Sequence, residues 1–325
     1  MEDRILAVRK ELREDSVLGE YSASAIRDEL VYRRIDSVPS VRTIGRILKR
    51  RGVLDKPRRI RRTSPSRGWY LPDVARREAE LDSFDVVEGL VIQGGIDVQV
   101  LNGISLHGRL AASWPLPSIT AKVTVEKLTA HWQECGLPGY VQFDNDTRFQ
   151  GAHQHKDSFS RVVRLCLSLE VVPVFAPVYE HGVQAQVESY NGLWQAQVWS
   201  RFHHDDIPQL QQRSQLYVKA HRARTAGKRE LAPARNEFPA VWKLDLQAPL
   251  RGKIIFLRRT DATGKVYLLG RRFSVSDVWL HRLVRCEVDL DKNKISFFTL
   301  RRLKPDNHHL AKTIRYTPPT RPFAE

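Results

Sequence analysis

Cysteine is scarce in this 325-residue chain, which has only Cys135, Cys166 and Cys286. They form no pair at metal-ligand spacing, and any one disulfide would strand the third thiol. A secreted disulfide scaffold is therefore excluded, and a reducing, cytoplasmic setting is expected. Long apolar runs are missing too. No stretch is long enough to span a bilayer and no signal peptide opens the chain, which excludes a membrane transporter and leaves no membrane partner. There is no internal repeat and no long low-complexity tract. Acidic residues are outnumbered, with 37 Asp and Glu against 53 Lys and Arg, a net charge of +16. What is present is 42% hydrophobic residues, enough for a sizeable core, in a chain long enough for two or three domains. So basic a surface implies a polyanionic partner, and nucleic acid fits best.

The charge is uneven. Its densest run spans Arg46 to Gly68 and ends in Pro, Ser and Gly, which reads as a linker. A second break falls near Pro249 and Gly252. These divide the chain into a helical region over 1–68, a core over 69–248 and a β-rich segment over 249–325. In the first, Ile5, Val8 and Leu12 form one stripe. Ser22 or Ser24 can cap a helix carrying Ile26 and Leu30. Ser40 can cap a third helix, with Val41, Ile44 and Leu48 inward and Gly52 as its stop. Two short helices, the second bearing Arg42, Arg46, Lys49 and Arg50, suggest helix-turn-helix geometry, although a small bundle with a solvated basic face has the same pattern. Arg58, Arg59, Arg61 and Arg62 in the linker favour DNA, since such a segment can follow a phosphate backbone.

The core alternates strand and helix signals. Strands are expected over 98–106, 110–114, 140–143 and 171–175, and helices over 123–132 and 159–169, a mixed sheet with helices on its faces. The last segment offers strands over 254–258, 266–269, 283–288 and 295–299, read as a small basic β-barrel. Three carboxylates stand out by position. Asp144 follows the strand G-Y-V-Q-F, where α/β ligands bind. Glu188 enters a long helix whose apolar stripe is Val187, Tyr190, Trp194 and Val198. Asp82 begins the first strand. Each also has a structural reading: a turn former, a helix-dipole partner, a solvated Asp. Together with the basic flanks, they can hold two hard divalent cations at a phosphodiester.

The succession of Asp82, F-D-N-D-T-R-F (143–149) and H-G-V-Q-A-Q-V-E-S-Y-N-G (181–192) resembles the DDE transposase and retroviral-type integrase superfamily, closest to bacterial insertion-sequence transposases. The resemblance covers nearly the whole chain and implies an α/β, ribonuclease-H-like core. In that core Asp82, Asp144 and Glu188 would be the catalytic, metal-binding triad, Asn145 would shape the turn at the metal, and Asn191 would face DNA. It implies two Mg2+ ions with Mn2+ as a substitute, and double-stranded DNA, both element ends and target, as partner. It also implies a homo-oligomer on DNA and DNA cleavage with strand transfer in a bacterial, nucleoid-associated setting. There are departures. Ser189 and Gln195 stand where many relatives are basic, and the interval from Asp144 to Glu188, 188 − 144 = 44 residues, is long. The extra length fits a loop over 150–157. No paired His and Cys module precedes the core, and His153 and His155 read as surface residues. The first motif lacks the usual tryptophan, so Asp85 competes with Asp82. Two other readings stand beside this one: a silent, transposase-derived DNA-binding regulator, and a ribonuclease-H-type nuclease without strand transfer.

Overall fold

The computed structural model describes residues 1–54, 67–152, 155–177, 180, 182–302, 307–319 and 322–323. Arg58, Arg59, Arg61, Arg62 and His153 lie outside them. The chain forms two compact units, 1–64 and 65–325. Among the described residues no helix is long and apolar enough to cross a membrane.

In the first unit, α1 (Glu2–Glu14), α2 (Ala23–Tyr32) and α3 (Val41–Arg50) close over Ile5, Val8, Ile26, Leu30, Ile44, Ile47 and Leu48. Ser22 and Ser40 cap α2 and α3, their hydroxyls accepting from the backbone N–H of Ala25 and Thr43, each at 3.2 Å. Gly52, at φ +65°, ends α3, with its own N–H bonded to Lys49 and that of Val53 to Leu48. The α2–α3 connection runs from residue 33 to residue 40, longer than the tight turn of a helix-turn-helix. The expected helices are present; the expected turn is not.

The second unit opens with α4 (Pro72–Ala75). An antiparallel meander follows: β1 (Leu81–Ile92), β2 (Ile96–Ser105) and β3 (Ala111–Leu116). Helix α5 (Ala121–Cys135) leads to β4 (Tyr140–Phe143). Helices α6 (Thr147–Gln150) and α7 (Arg161–Ser168) lead to β5 (Val172–Phe175). Strand β4 pairs parallel to both β1 and β5. Helix α8 (Ala185–Trp194) runs into a π turn over Gln195–Trp199, followed by α9 (Ile207–Arg224) and α10 (Ala226–Glu230). Three antiparallel strands followed by two parallel ones reached through helices match the ribonuclease-H-like expectation. Packing is close here: a Cβ on Gly103 would meet the Phe84 ring at 2.1 Å, so the residue opposite Phe84 must be glycine.

The last strands correct the expectation of a separate barrel over 249–325. Strand β6 (Lys253–Arg259) pairs parallel to β5, placing Val174 opposite Ile255. Strands β9 (Leu283–Asp289), β10 (Lys294–Thr299) and β11 (His309–Arg315) then continue the same sheet antiparallel. Its order is β11-β10-β9-β6-β5-β4-β1-β2-β3, while β7 (Lys265–Leu268) and β8 (Arg271–Ser274) make a separate hairpin. The cause lies in β6, where Ile254, Ile255, Phe256 and Leu257 are all buried, so the strand needs cover on both faces. A run of rings crosses the seam: Phe143 to Phe175 at 6.2 Å, then Phe175 to Phe256 at 5.2 Å. At the other end α9 lies along the outer edge of β3. Gln211 and Arg222 there donate to the carbonyls of Pro115 and Ala111 at 2.9 and 2.8 Å.

Candidate active site

Side chains of β1 alternate across the sheet, so Asp82 and Asp85, three residues apart, face opposite ways. Asp82 shares its face with Phe84, which packs near Trp114, His131 and Phe143. It is 1% exposed and accepts two bonds from the Arg235 guanidinium, at 2.9 and 2.7 Å, and one from the Trp132 indole at 3.2 Å. Burial alone would push its carboxyl up, but the Arg235 charge and hydrogen bonds outweigh that and hold it below its ordinary value. This corrects the expected triad: Asp82 is a buried structural anion that clasps the segment after α10 onto β1.

Asp85 looks the other way. Its Oδ2 accepts from Asn191 Nδ2 of α8 at 2.7 Å, and Asn191 Oδ1 in turn accepts from Asn102 of β2 at 2.9 Å. The α8 stripe of Val187, Tyr190, Trp194 and Val198 is buried, as its spacing predicts, and this presses Asn191 toward the sheet. Both ends of the Asn191 amide are engaged and the residue is 9% exposed, so its amide is held between Asp85 and Asn102.

Asp144 follows β4 at the rim of the same face, its Oδ1 accepting from the Asp146 N–H at 3.0 Å. Asn145 donates to the carbonyl of Ala176, tying the β4 and β5 ends together. Glu188 lies exposed in the first turn of α8. Burial, then the negative charges of Asp144 and Glu188, push the Asp85 carboxyl up to about 6. The Asp144 carboxyl is also raised, by burial first and then by Asp146 and Glu88. Arg148 serves the outer acids, pairing with Asp146 at 2.5 Å and Glu88 at 2.8 Å. Among the described residues no cationic side chain forms an ion pair with Asp85, Asp144 or Glu188.

An all-oxygen set of this kind, with no ion pair to its own acids among the described residues, fits hard divalent cations such as Mg2+. The set is open rather than caged, for only His131, Glu134 and Cys135, among the described residues, bring three ligand atoms within 4.8 Å of one another. In that second cluster Arg222 already supplies a positive charge, bonded to Glu134 at 2.6 Å and lying 3.4 Å from His131 Nδ1.

Of the residues expected to meet DNA, Arg42, Arg46 and Lys49 are exposed on α3 and engage no carboxylate among the described residues. Arg50 differs, being paired with Glu2 of α1.

No protein-family model and no curated protein matches the chain. Among solved structures, a chain of the simian T-cell lymphotropic virus intasome in complex with PP2A regulatory subunit B56 gamma is similar over 80% of this chain and 84% of its own, at 13% identity and a TM-score of 0.38. The catalytic core domain of BIV integrase is similar over 43% of this chain and 81% of its own, at 12% identity and a TM-score of 0.32.

Proposed function

We propose that this protein is a transposase or integrase that cuts and joins DNA strands with divalent metal ions. One observation carries the reading: Asp85, Asp144 and Glu188, from three separate elements, gather on one rim with no cation paired to them. They would hold Mg2+, or Mn2+ in its place. Bound there, the metal supplies the Lewis acidity that turns a water or a 3′-hydroxyl into a nucleophile and steadies the leaving oxygen. Asn191 keeps the Asp85 carboxylate aimed at the rim, and Asn102 holds Asn191. Arg148 keeps Asp146 and Glu88 engaged with itself rather than with the inner acids. DNA, as element ends and target, is the proposed substrate, and a homo-oligomer on DNA the proposed working form.

The discriminating experiment is nicking of supercoiled plasmid by the whole chain with Mg2+, Mn2+ or EDTA. Metal-dependent nicking supports the proposal. DNA binding without nicking under any metal favours the silent regulator, to which the open spacing of the three carboxylates lends some weight.

The raised Asp85 carboxyl sets a pH dependence. A metal ion must displace a proton wherever Asp85 is protonated, so affinity should be flat above about pH 6 and fall as pH drops through that value. Calorimetric titration with Mn2+ from pH 5 to 8 should show roughly tenfold weaker binding per pH unit on the acid side. A profile flat down to pH 5 would remove Asp85 from the ligand set.

A separate prediction concerns α3. Arg42 and Arg46 are exposed one turn apart on α3, and in the proposed complex they would reach base edges. Alanine at either should cost about 1–3 kcal/mol on the preferred sequence and much less on random DNA. Equal losses on both would make this face a phosphate clamp only.

A further inference from the structure

The last turns of α5 carry His131, Glu134 and Cys135, at offsets of three and four residues from the histidine, so their side chains share one helix face. That face lies across the sheet from the carboxylate rim. His131 meets Phe84 edge-on at 6.0 Å and Trp114 at 5.8 Å, and Phe84 is on the Asp82 side of β1, opposite Asp85. The imidazole, carboxylate and thiol bring their ligand atoms within 4.8 Å of one another. A tetrahedral zinc ion, with bonds of about 2.0–2.3 Å, holds such atoms roughly 3.3–3.8 Å apart. The difference is within reach of side-chain rotation. His131 and Glu134 line a cavity of about 610 Å³, and Glu134 and Cys135 line another of about 540 Å³, so the cluster is open on two sides. The Arg222 guanidinium of α9 sits against it, bonded to Glu134 at 2.6 Å and to His131 Nδ1 at 3.4 Å. A guanidinium only donates, so His131 Nδ1 presents its lone pair to the cluster, the form of histidine that binds metal. Arg222 Nε donates separately to the carbonyl of Ala111 at 2.8 Å, so the arginine can release Glu134 and His131 without leaving β3.

We propose that His131 Nδ1, Glu134 and Cys135 Sγ form a zinc site in which the metal ion takes the place of the Arg222 guanidinium. The inference is independent of the DNA-cutting reading and concerns a different metal. The rim offers oxygen alone, whereas one nitrogen, one sulfur and one carboxylate favour Zn2+ over Mg2+. His131 and Cys135, four apart on one helix, have the spacing by which the two histidines of an H-E-x-x-H helix hold zinc. As the Sγ–Zn bond forms, the Sγ–H bond breaks and its proton passes to solvent. Water entering from the cavity completes the fourth position. The ion brings two positive charges where the guanidinium brings one, so Glu134 keeps a cationic partner throughout. Arg222 must first be expelled, which makes it a competitor built into the fold.

The test uses the whole chain, reduced and stripped of metal, with Co2+ as the probe, because a thiolate bound to Co2+ gives a near-ultraviolet charge-transfer band. Cys166 and Cys286 are fully buried, so such a band reports Cys135. One equivalent of Co2+ should develop the band and one of Zn2+ should erase it, while about a hundredfold excess of Mg2+ should leave it in place. Cys135→Ser should abolish it. Arg222→Gln should tighten Co2+ binding at least about tenfold, the worth of one charge-assisted bond that the metal no longer has to break. Asp85→Asn, on the rim, should leave the band intact. No band in the parent chain overturns the proposal, as does a band that survives Cys135→Ser. Weaker or unchanged Co2+ binding by folded Arg222→Gln, its fold checked by its melting transition, overturns the exchange with the guanidinium. Loss of the band in Asp85→Asn would assign the ion to the rim and overturn the second site.

Discussion

Asp85→Asn should yield a protein that no longer nicks DNA and that, without metal, is harder to unfold than the parent. The loss of nicking should be about a thousandfold or more, because a metal contributes several kcal/mol at the transition state and each 1.4 kcal/mol is tenfold. DNA binding at matched salt should change little. The gain in stability follows from the raised carboxyl. In the folded, metal-free protein Asp85 titrates near 6, against 3.8 for an unperturbed Asp, so its ionisation opposes folding. The penalty is absent below about pH 4, grows through the window from 4 to 6, and is fully present above it. Asparagine removes it and keeps one oxygen to accept from Asn191, but loses the bond that the other carboxylate oxygen takes from the Val86 N–H at 3.0 Å. The variant's stability relative to the parent should therefore rise by up to about 3 kcal/mol between pH 4 and pH 7.5 in EDTA. Urea unfolding at the two pH values reads this directly. A stability difference independent of pH would mean that Asp85 is not the strained member of the cluster.

Asp82→Asn should behave in the opposite way. Here the carboxylate is fully buried and paired with Arg235 on two hydrogen bonds, so its loss leaves a guanidinium facing a neutral amide. Breaking such a pair from one side costs about 3 kcal/mol or somewhat more, which in a unit of this size lowers Tm by roughly 6–12 °C. Arg235→Gln added to Asp82→Asn should recover part of the loss, since neither charge is then left alone. Nicking by the fraction that stays folded should persist. The contrary result, an unchanged Tm with nicking abolished, would return Asp82 to the catalytic set and displace Asp85.

The two aspartates show where sequence reasoning reaches its limit. Both lie in A-E-L-D-S-F-D-V-V (79–87), and strand parity says that they face opposite sides. Nothing local says which side is the crevice. The deciding partner, Arg235, is 153 residues away along the chain. The positions of Asp144 and Glu188 are more legible, because a strand end and a helix stripe fix their directions within a dozen residues. Asn191 shared the line of Glu188, yet its buried role depends on Asn102 across the sheet, which no helical pattern contains. The C-terminal strands are legible as strands, whereas their continuation of the core sheet is not. The signal was the unbroken I-I-F-L of 254–257, which demands a neighbour on both faces, whereas an edge or small-barrel strand tolerates alternation.

The edge of β3 has a bearing on self-assembly. The carbonyls of Ala111 and Pro115 are taken by α9, and proline offers no N–H, so that border of the sheet cannot accept another strand. At the opposite border β11 pairs only with β10, and its outer side is open among the described residues. A sheet that can be lengthened at one border only can join a second copy β11 to β11, about a twofold axis, and then has no border left to extend. Strand-to-strand growth through the borders of this nine-stranded sheet then stops at two copies.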